Sequence, residues 1–295
     1  MMRRTTLALR SALGGIFALI VVASSGLGHA FAAASPWASG PKAQARLVSG
    51  GSADGDRATL ADAGKRLAFV EIMLEPGWKT YWRTPGDAGG LPPSFDWSKS
   101  ANLAHAEVLY PAPRRFTDRS GHTIGYEGGL VLPVVLTPER QNEPISLALD
   151  FHYGICKDVC VPVDAALSVE VKVGDADPAA LAGVSALEAV PRSQDKLRPL
   201  DPELVSAAGI LGGTSPKISI EARFPGGVAG ADVFLEAPDS LYLPLPALKT
   251  TKADGTLVFE AVLDADVDVA ALEGKAVTVT LVSETGASVA TFLVE

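Results

Sequence analysis

The sequence predicts an all-β protein, an immunoglobulin-like β-sandwich followed by a second, smaller β-sandwich. Three observations carry that expectation. From Leu67 to Val294, short apolar runs recur at sandwich-like spacing, separated by turn residues. Two of them, Ile145 to Tyr153 and Ala166 to Val173, alternate apolar and polar residues with period two, as an antiparallel sheet with one buried face requires. No long amphipathic helix interrupts the two blocks.

Taken in order, the chain opens with Arg3, Arg4 and Arg10, an apolar run from Ala12 to Ala23 and a small-residue Ala30-Phe31-Ala32 site. That order is a cleaved signal peptide over residues 1–32, since the apolar run falls short of the roughly 20 residues a spanning helix needs. Export to the periplasm, with no direct membrane insertion after cleavage, is therefore expected. Residues 33 to about 64 mix Gly, Ser, Ala, Pro and Asp and read as an extended lead-in. The first sandwich is expected to end at residue 174. Its strand candidates are Leu67 to Leu74, Trp78 to Trp82, Ala106 to Tyr110, Leu130 to Leu136, and the two alternating segments. Residues 175–214 are Ala-rich and Pro-punctuated and read as a linker with one short helix near Pro178 to Ala189. The second sandwich, residues 215–295, draws on Lys217 to Ala222, Ala231 to Glu236, Thr256 to Leu263, Ala276 to Leu281 and Ala287 to Val294.

The net charge is −9, and the leader holds three arginines and no acid, so the chain without it carries −12. A surface that acidic repels phosphate backbones, which excludes nucleic acid as a partner. No basic block is present to bind anionic lipid. Nucleophile elbows, phosphate loops, dinucleotide fingerprints and zinc-protease helices are absent too.

The chemistry-bearing candidates are the two cysteines, Cys156 and Cys160, which lie in the connection between the alternating strands. A disulfide across so short a loop stabilises by roughly 2 kcal/mol on chain-entropy grounds, less than a longer loop would gain. Two neighbouring sulfurs are what thiol-disulfide exchange requires: one attacks a partner disulfide and the other resolves the mixed disulfide. Lys157 lowers a neighbouring thiol's pKa by its charge and Asp158 raises it, so the sequence does not select the nucleophile. Two other readings stand beside exchange. One is an inert surface disulfide. The other is copper, because His152, Cys156 and Cys160 form His-x3-Cys-x3-Cys, a soft donor set suited to Cu(I). Exchange itself needs no cofactor. Trp78, Tyr81, Trp82 and Trp97 read as packing, whereas Tyr153 is expected to flank the sulfurs. Without Cys-x-x-Cys, the all-β pattern argues against a thioredoxin-like fold.

Pro76-Gly77-Trp78-Lys79-Thr80-Tyr81-Trp82-Arg83-Thr84-Pro85-Gly86-Asp87, Leu91-Pro92-Pro93, and Tyr153-Gly154-Ile155-Cys156-Lys157-Asp158-Val159-Cys160-Val161-Pro162 together resemble the amino-terminal periplasmic domain of the thiol:disulfide interchange protein DsbD, in its ScsB-like variants. The resemblance covers Leu67 to Val173. It implies an immunoglobulin-like domain whose Cys156 and Cys160 take reducing equivalents from a membrane-embedded DsbD/ScsB-like donor and pass them to periplasmic thiol-disulfide proteins. The best-known members space their cysteines further apart. They also shield them with a cap loop bearing an aromatic residue, which here corresponds to Arg114 to Tyr126 with Phe116 as the aromatic. The family's transmembrane and thioredoxin-like parts have no counterpart in this sequence, which implies that the donor is a separate protein.

Overall fold

The computed structural model describes residues 34–50, 64–119, 121–172, 181–239 and 241–295; the expected signal peptide lies outside them. The first sandwich consists of β1 (Ala38–Gly40), β2 (Ala43–Ser49), β3 (Arg66–Leu74), β4 (Lys79–Tyr81), β5 (Ser94–Asp96), β6 (Leu103–Val108), β7 (Arg114–Asp118), β8 (Gly121–Glu127), β9 (Gly129–Pro138), β10 (Ile145–Cys156) and β11 (Cys160–Val171). One sheet runs β1-β2-β3-β9-β6. The facing sheet runs β11-β10-β4-β8-β7, with β5 also paired to β10. The core between them takes the inward residues of both, including Leu47, Val70, Leu132, Leu149 and Phe151.

Residues 43–49, expected as part of a lead-in, form strand β2 instead, with Ala45 opposite Ile72 and Leu47 opposite Val70. Alanines carry much of its buried face, and they leave little hydrophobic signal in a sequence. The stretch Arg114 to Tyr126, expected as a cap loop, is a β-hairpin in which Phe116 pairs with Thr123 across β7 and β8. Strand β7 is polar, and its Arg115 binds Asp232, 117 residues away.

The second sandwich contains β12 (Arg192–Ser193), β13 (Glu203–Ile210), β14 (Lys217–Arg223), β15 (Asp232–Glu236), β16 (Ala247–Thr251), β17 (Leu257–Val262), β18 (Ala276–Val282) and β19 (Ala287–Leu293). Its two sheets are β12-β19-β18-β15 and β13-β14-β17-β16. Ile218, Ile220, Phe259, Val277, Val279 and Leu281 fill the space between them. Strand β13 falls inside the segment expected to be a linker; it pairs with β14 from Glu203 opposite Arg223 to Ile210 opposite Lys217. Its buried face is half-covered Leu204 and Ala207, too faint for an apolar pattern. The eight-residue helix Leu181–Glu188 packs on the first sandwich. A Cβ at Gly183 would fall 2.3 Å from the Phe69 ring.

The fully buried Phe234 of β15 joins the core of the first sandwich. Its ring lies 5.8 Å from that of Trp82.

Candidate functional site

Alternation along β10 fixes where the sulfurs point. Ile145, Leu147, Leu149, Phe151, Tyr153 and Ile155 are at most 1% exposed and face the core. His152, Gly154 and Cys156 take the opposite face by the same period. The pairing with β11 runs without a bulge from Ile145 opposite Val171 to Cys156 opposite Cys160. The hairpin closes with Lys157, Asp158 and Val159, and the Lys157 N–H donates to the Val159 carbonyl over 3.3 Å. Cys156 and Cys160 are joined as a disulfide at this tip. Cys156 is partly covered and Cys160 exposed.

Strand β4 runs beside β10 with Lys79 opposite Cys156 and Thr80 opposite Ile155. Lys79 and Tyr81 therefore share the face of the sulfurs. The Tyr81 hydroxyl lies 3.0 Å from the Cys160 sulfur. A disulfide sulfur has no proton, so the phenol is the donor. Tyr81 is 3% exposed, and burial, followed by the negative charge of Asp118, raises its pKa above the ordinary phenol value. It stays protonated at neutral pH and keeps its proton available to the sulfur.

The cover over Tyr81 is a strap, residues 85–93, laid across the outer face of β4 and β10. Gly90 is what lets it lie there: a Cβ at this position would sit 2.2 Å from the Tyr81 ring. Gly154 permits the same close approach from below, since its Cβ would fall 2.8 Å from that of Leu91. The Gly154 N–H donates to the Leu91 carbonyl over 3.0 Å, and the Thr80 hydroxyl donates to the Gly154 carbonyl over 2.8 Å. Both bonds lie within two residues of Cys156.

The remaining expected residues take different places. Tyr153 is fully buried on the core side of β10, stacked on Phe151 at 4.5 Å; it packs beneath the hairpin and faces away from the sulfurs. Its hydroxyl has no hydrogen-bond partner, and burial pushes its pKa to about 12. Lys157 extends over the Pro76-Gly77 turn, where a Cβ on Gly77 would lie 3.2 Å from its Nζ. Asp158 is exposed at the tip. Phe116 lies on β7, with β8 and β4 between it and β10, about 14 Å away at ordinary strand spacing. Its ring lies 4.6 Å from the Lys79 ammonium. His152 pairs with Asp164 through Nδ1 at 2.6 Å and sits four residues before Cys156, about 13 Å along an extended strand. The strand thus keeps His152 apart from the two sulfurs. Among the described residues no three His, Cys, Asp or Glu side chains are grouped to hold a metal ion.

Tyr81, Gly90 and Leu91 were not expected at the site. Alternation within Trp78-Lys79-Thr80-Tyr81-Trp82 is the available signal, since it puts Lys79 and Tyr81 on one face and Thr80 on the other. The aromatic content reads as core, and for Trp82, 1% exposed, it is.

The second sandwich grips the chain just beyond Tyr81. Arg83 makes a bidentate pair with Glu236 at 2.6 and 2.7 Å, and Thr84 donates to the same carboxylate at 3.2 Å. Tyr242 donates to Asp87 of the strap at 3.0 Å. Arg115 of β7 binds Asp232 in a second bidentate pair and also donates to the Val233 and Pro246 carbonyls. Burial raises the Asp232 carboxyl above the usual range, and Arg115 opposes that shift.

The protein-family model "Thiol:disulfide interchange protein DsbD, N-terminal" matches residues 44–171, which hold the dithiol hairpin, β4 and the strap. Residues 44–171 are a DsbD-type amino-terminal domain. The chain is also similar to the crystal structure of the N-terminal periplasmic domain of ScsB from Proteus mirabilis, with 21% identity and a TM-score of 0.65. That match covers 89% of this chain and 98% of the other, so the shared fold extends past the DsbD-type domain into the second sandwich. A search of curated protein sequences returns no match.

Proposed function

We propose that the chain is a periplasmic thiol-disulfide interchange protein, relaying reducing equivalents from a membrane-embedded electron donor to periplasmic disulfide proteins through Cys156 and Cys160. The observation that carries this reading is the Cys156–Cys160 disulfide at an exposed hairpin tip, with a protonated phenol on one sulfur, inside a DsbD-type domain. The periplasmic description of the similar ScsB domain supports the location.

In the reduced protein, a thiolate of the pair attacks one sulfur of the partner's disulfide, whose other sulfur leaves as a thiolate. The second cysteine, deprotonated, then attacks the mixed disulfide. That step forms Cys156–Cys160, releases the partner's second thiolate and moves two electrons to the partner. Exchange in the opposite sense with the donor's dithiol restores the reduced pair. Cys160 is the sulfur a partner meets, because it is the exposed one and Tyr81 donates to it whenever it carries negative charge.

The test uses Cys156→Ala and Cys160→Ala variants produced in a periplasm that contains the membrane donor. Cys156→Ala is expected to accumulate Cys160-linked mixed disulfides on non-reducing gels. The reading fails if neither variant forms any and the native disulfide has a potential below about −300 mV, where structural disulfides lie.

A further inference from the structure

We infer that the second sandwich is a brace for the redox site: by holding the strap closed it keeps Tyr81 on Cys160, and so sets how readily the disulfide is reduced. The inference rests on the exchange reading above and gives the second sandwich its role in that chemistry.

Tyr81 has little freedom of its own. Its ring is overlain at Gly90, and its hydroxyl lies on Cys160 beneath that cover. The first sandwich pins the strap at three points, through the Ile124 N–H on the Pro85 carbonyl, the Ala88 N–H on the His122 carbonyl and the Gly154 N–H on the Leu91 carbonyl. Two side chains of the second sandwich act on the segment that follows Tyr81, one just before the strap and one within it. Glu236 holds Arg83 and Thr84, two and three residues beyond Tyr81, and Tyr242 holds Asp87. The strap and the second sandwich otherwise face one another across a cleft of about 440 Å³, bounded by Pro85, Gly86, Leu235 and Tyr242 among others. Continuous packing would tolerate the loss of one polar contact; a strap beside a cleft has space to move into. Once it moves, the phenol loses its cover and its position on the sulfur.

The chemical consequence has a sign. A phenol donating to the Cys160 thiolate stabilises the reduced form more than the disulfide, because an ionised acceptor binds a donor more strongly than a neutral sulfur does. Removing or displacing the phenol therefore makes the disulfide harder to reduce.

The experiment equilibrates the purified chain, without its leader, against buffers of reduced and oxidised glutathione, with thiol alkylation as the readout. Two glutathiones reduce the disulfide and leave as glutathione disulfide, so one constant describes each variant. Tyr81→Phe is expected to lower the reduction constant about fivefold, the size of one hydrogen bond. Tyr242→Phe and Glu236→Gln are expected to lower it in the same direction, and neither to lower it further once Tyr81 is Phe. In a Cys156→Ala background, the pH midpoint for alkylating Cys160 is expected to rise in all three. Tyr242→Phe removes one partly exposed hydroxyl and keeps the test sound if Glu236→Gln folds poorly. The inference is overturned if Tyr81→Phe shifts the constant while Tyr242→Phe and Glu236→Gln do not, or if the shifts add in full. It falls together with the exchange reading if the unaltered protein does not equilibrate with glutathione.

Discussion

The two sandwiches share an architecture and divide the work. In the first, β10 and β11 are twelve-residue strands whose buried faces anchor in a core rich in aromatics, with Phe95, Phe151 and Tyr153 stacked in series. That anchorage supports the hairpin that carries the Cys156–Cys160 disulfide at its tip. In the second, strands of two to eight residues close over a mostly aliphatic core in which Phe224 and Phe259 are the buried rings, and its described residues include no cysteine. Its distinctive groups are Asp232, Glu236 and Tyr242, which all reach toward the first sandwich. A reactive site needs a rigid base and a controlled cover. Here the base is supplied by local strand pairing and the cover by the strap, which Tyr242 of the second sandwich reaches at Asp87.

The largest expected effect lies in the base. Phe151→Ala removes a fully buried ring between Phe95 and Tyr153 and is expected to cost about 3–5 kcal/mol, measured by urea denaturation. A loss under about 1 kcal/mol would show that the aromatic stack does not support the hairpin. Next is the join between the sandwiches. Arg115→Ala leaves Asp232 mostly covered without its cation and is expected to cost about 2 kcal/mol at neutral pH. Asp232 has a raised pKa in the fold, so its favourable contribution is the protonated form, present at acid pH and lost as pH rises through the folded value. The cost of Arg115→Ala should accordingly shrink on acidification; a cost independent of pH would assign it to packing alone.

A smaller effect separates Tyr153 from Tyr81. Tyr153 and Tyr110 have pKa values pushed to about 12 by burial. Phenols raised in the fold stabilise it below the ordinary value of 10 and lose that contribution as pH rises toward 12. Denaturation between those limits should become less pH-dependent in Tyr153→Phe, which also removes an unpartnered hydroxyl and is expected to be neutral or stabilising by up to about 1 kcal/mol. Its disulfide should equilibrate with glutathione as before; a shift would tie the core face of β10 to the sulfurs. The smallest effect belongs to the exposed Arg223–Glu203 pair. Arg223→Ala is expected to cost less than about 0.5 kcal/mol and to leave the redox equilibrium unchanged, marking how far the influence of the second sandwich extends.

Legibility followed the strength of the local pattern. Period-two alternation from Ile145 and from Ala166 located the hairpin and placed Cys156 and Cys160 at its tip, because a one-residue slip would expose the whole apolar face. Strand β2 escaped notice because alanines fill much of its buried face. Strands β7 and β8 were hidden for another reason, since Arg115 is satisfied by Asp232, 117 residues away. Phe116 was the natural aromatic to seek over the sulfurs, yet strand order puts two strands between it and β10. Tyr153 is adjacent to the cysteine loop in sequence and on the core face of its strand, away from the sulfurs.

By itself, the sequence determined the fold class, the hairpin and the paired thiols, all consequences of residue period and of short separation along the chain. Only the tertiary structure decided that Tyr81 touches Cys160, that Glu236 binds Arg83 and Thr84, and that Tyr242 reaches Asp87 of the strap. Those contacts join segments up to 155 residues apart. They depend on which strands become neighbours, and no periodicity within one segment records that.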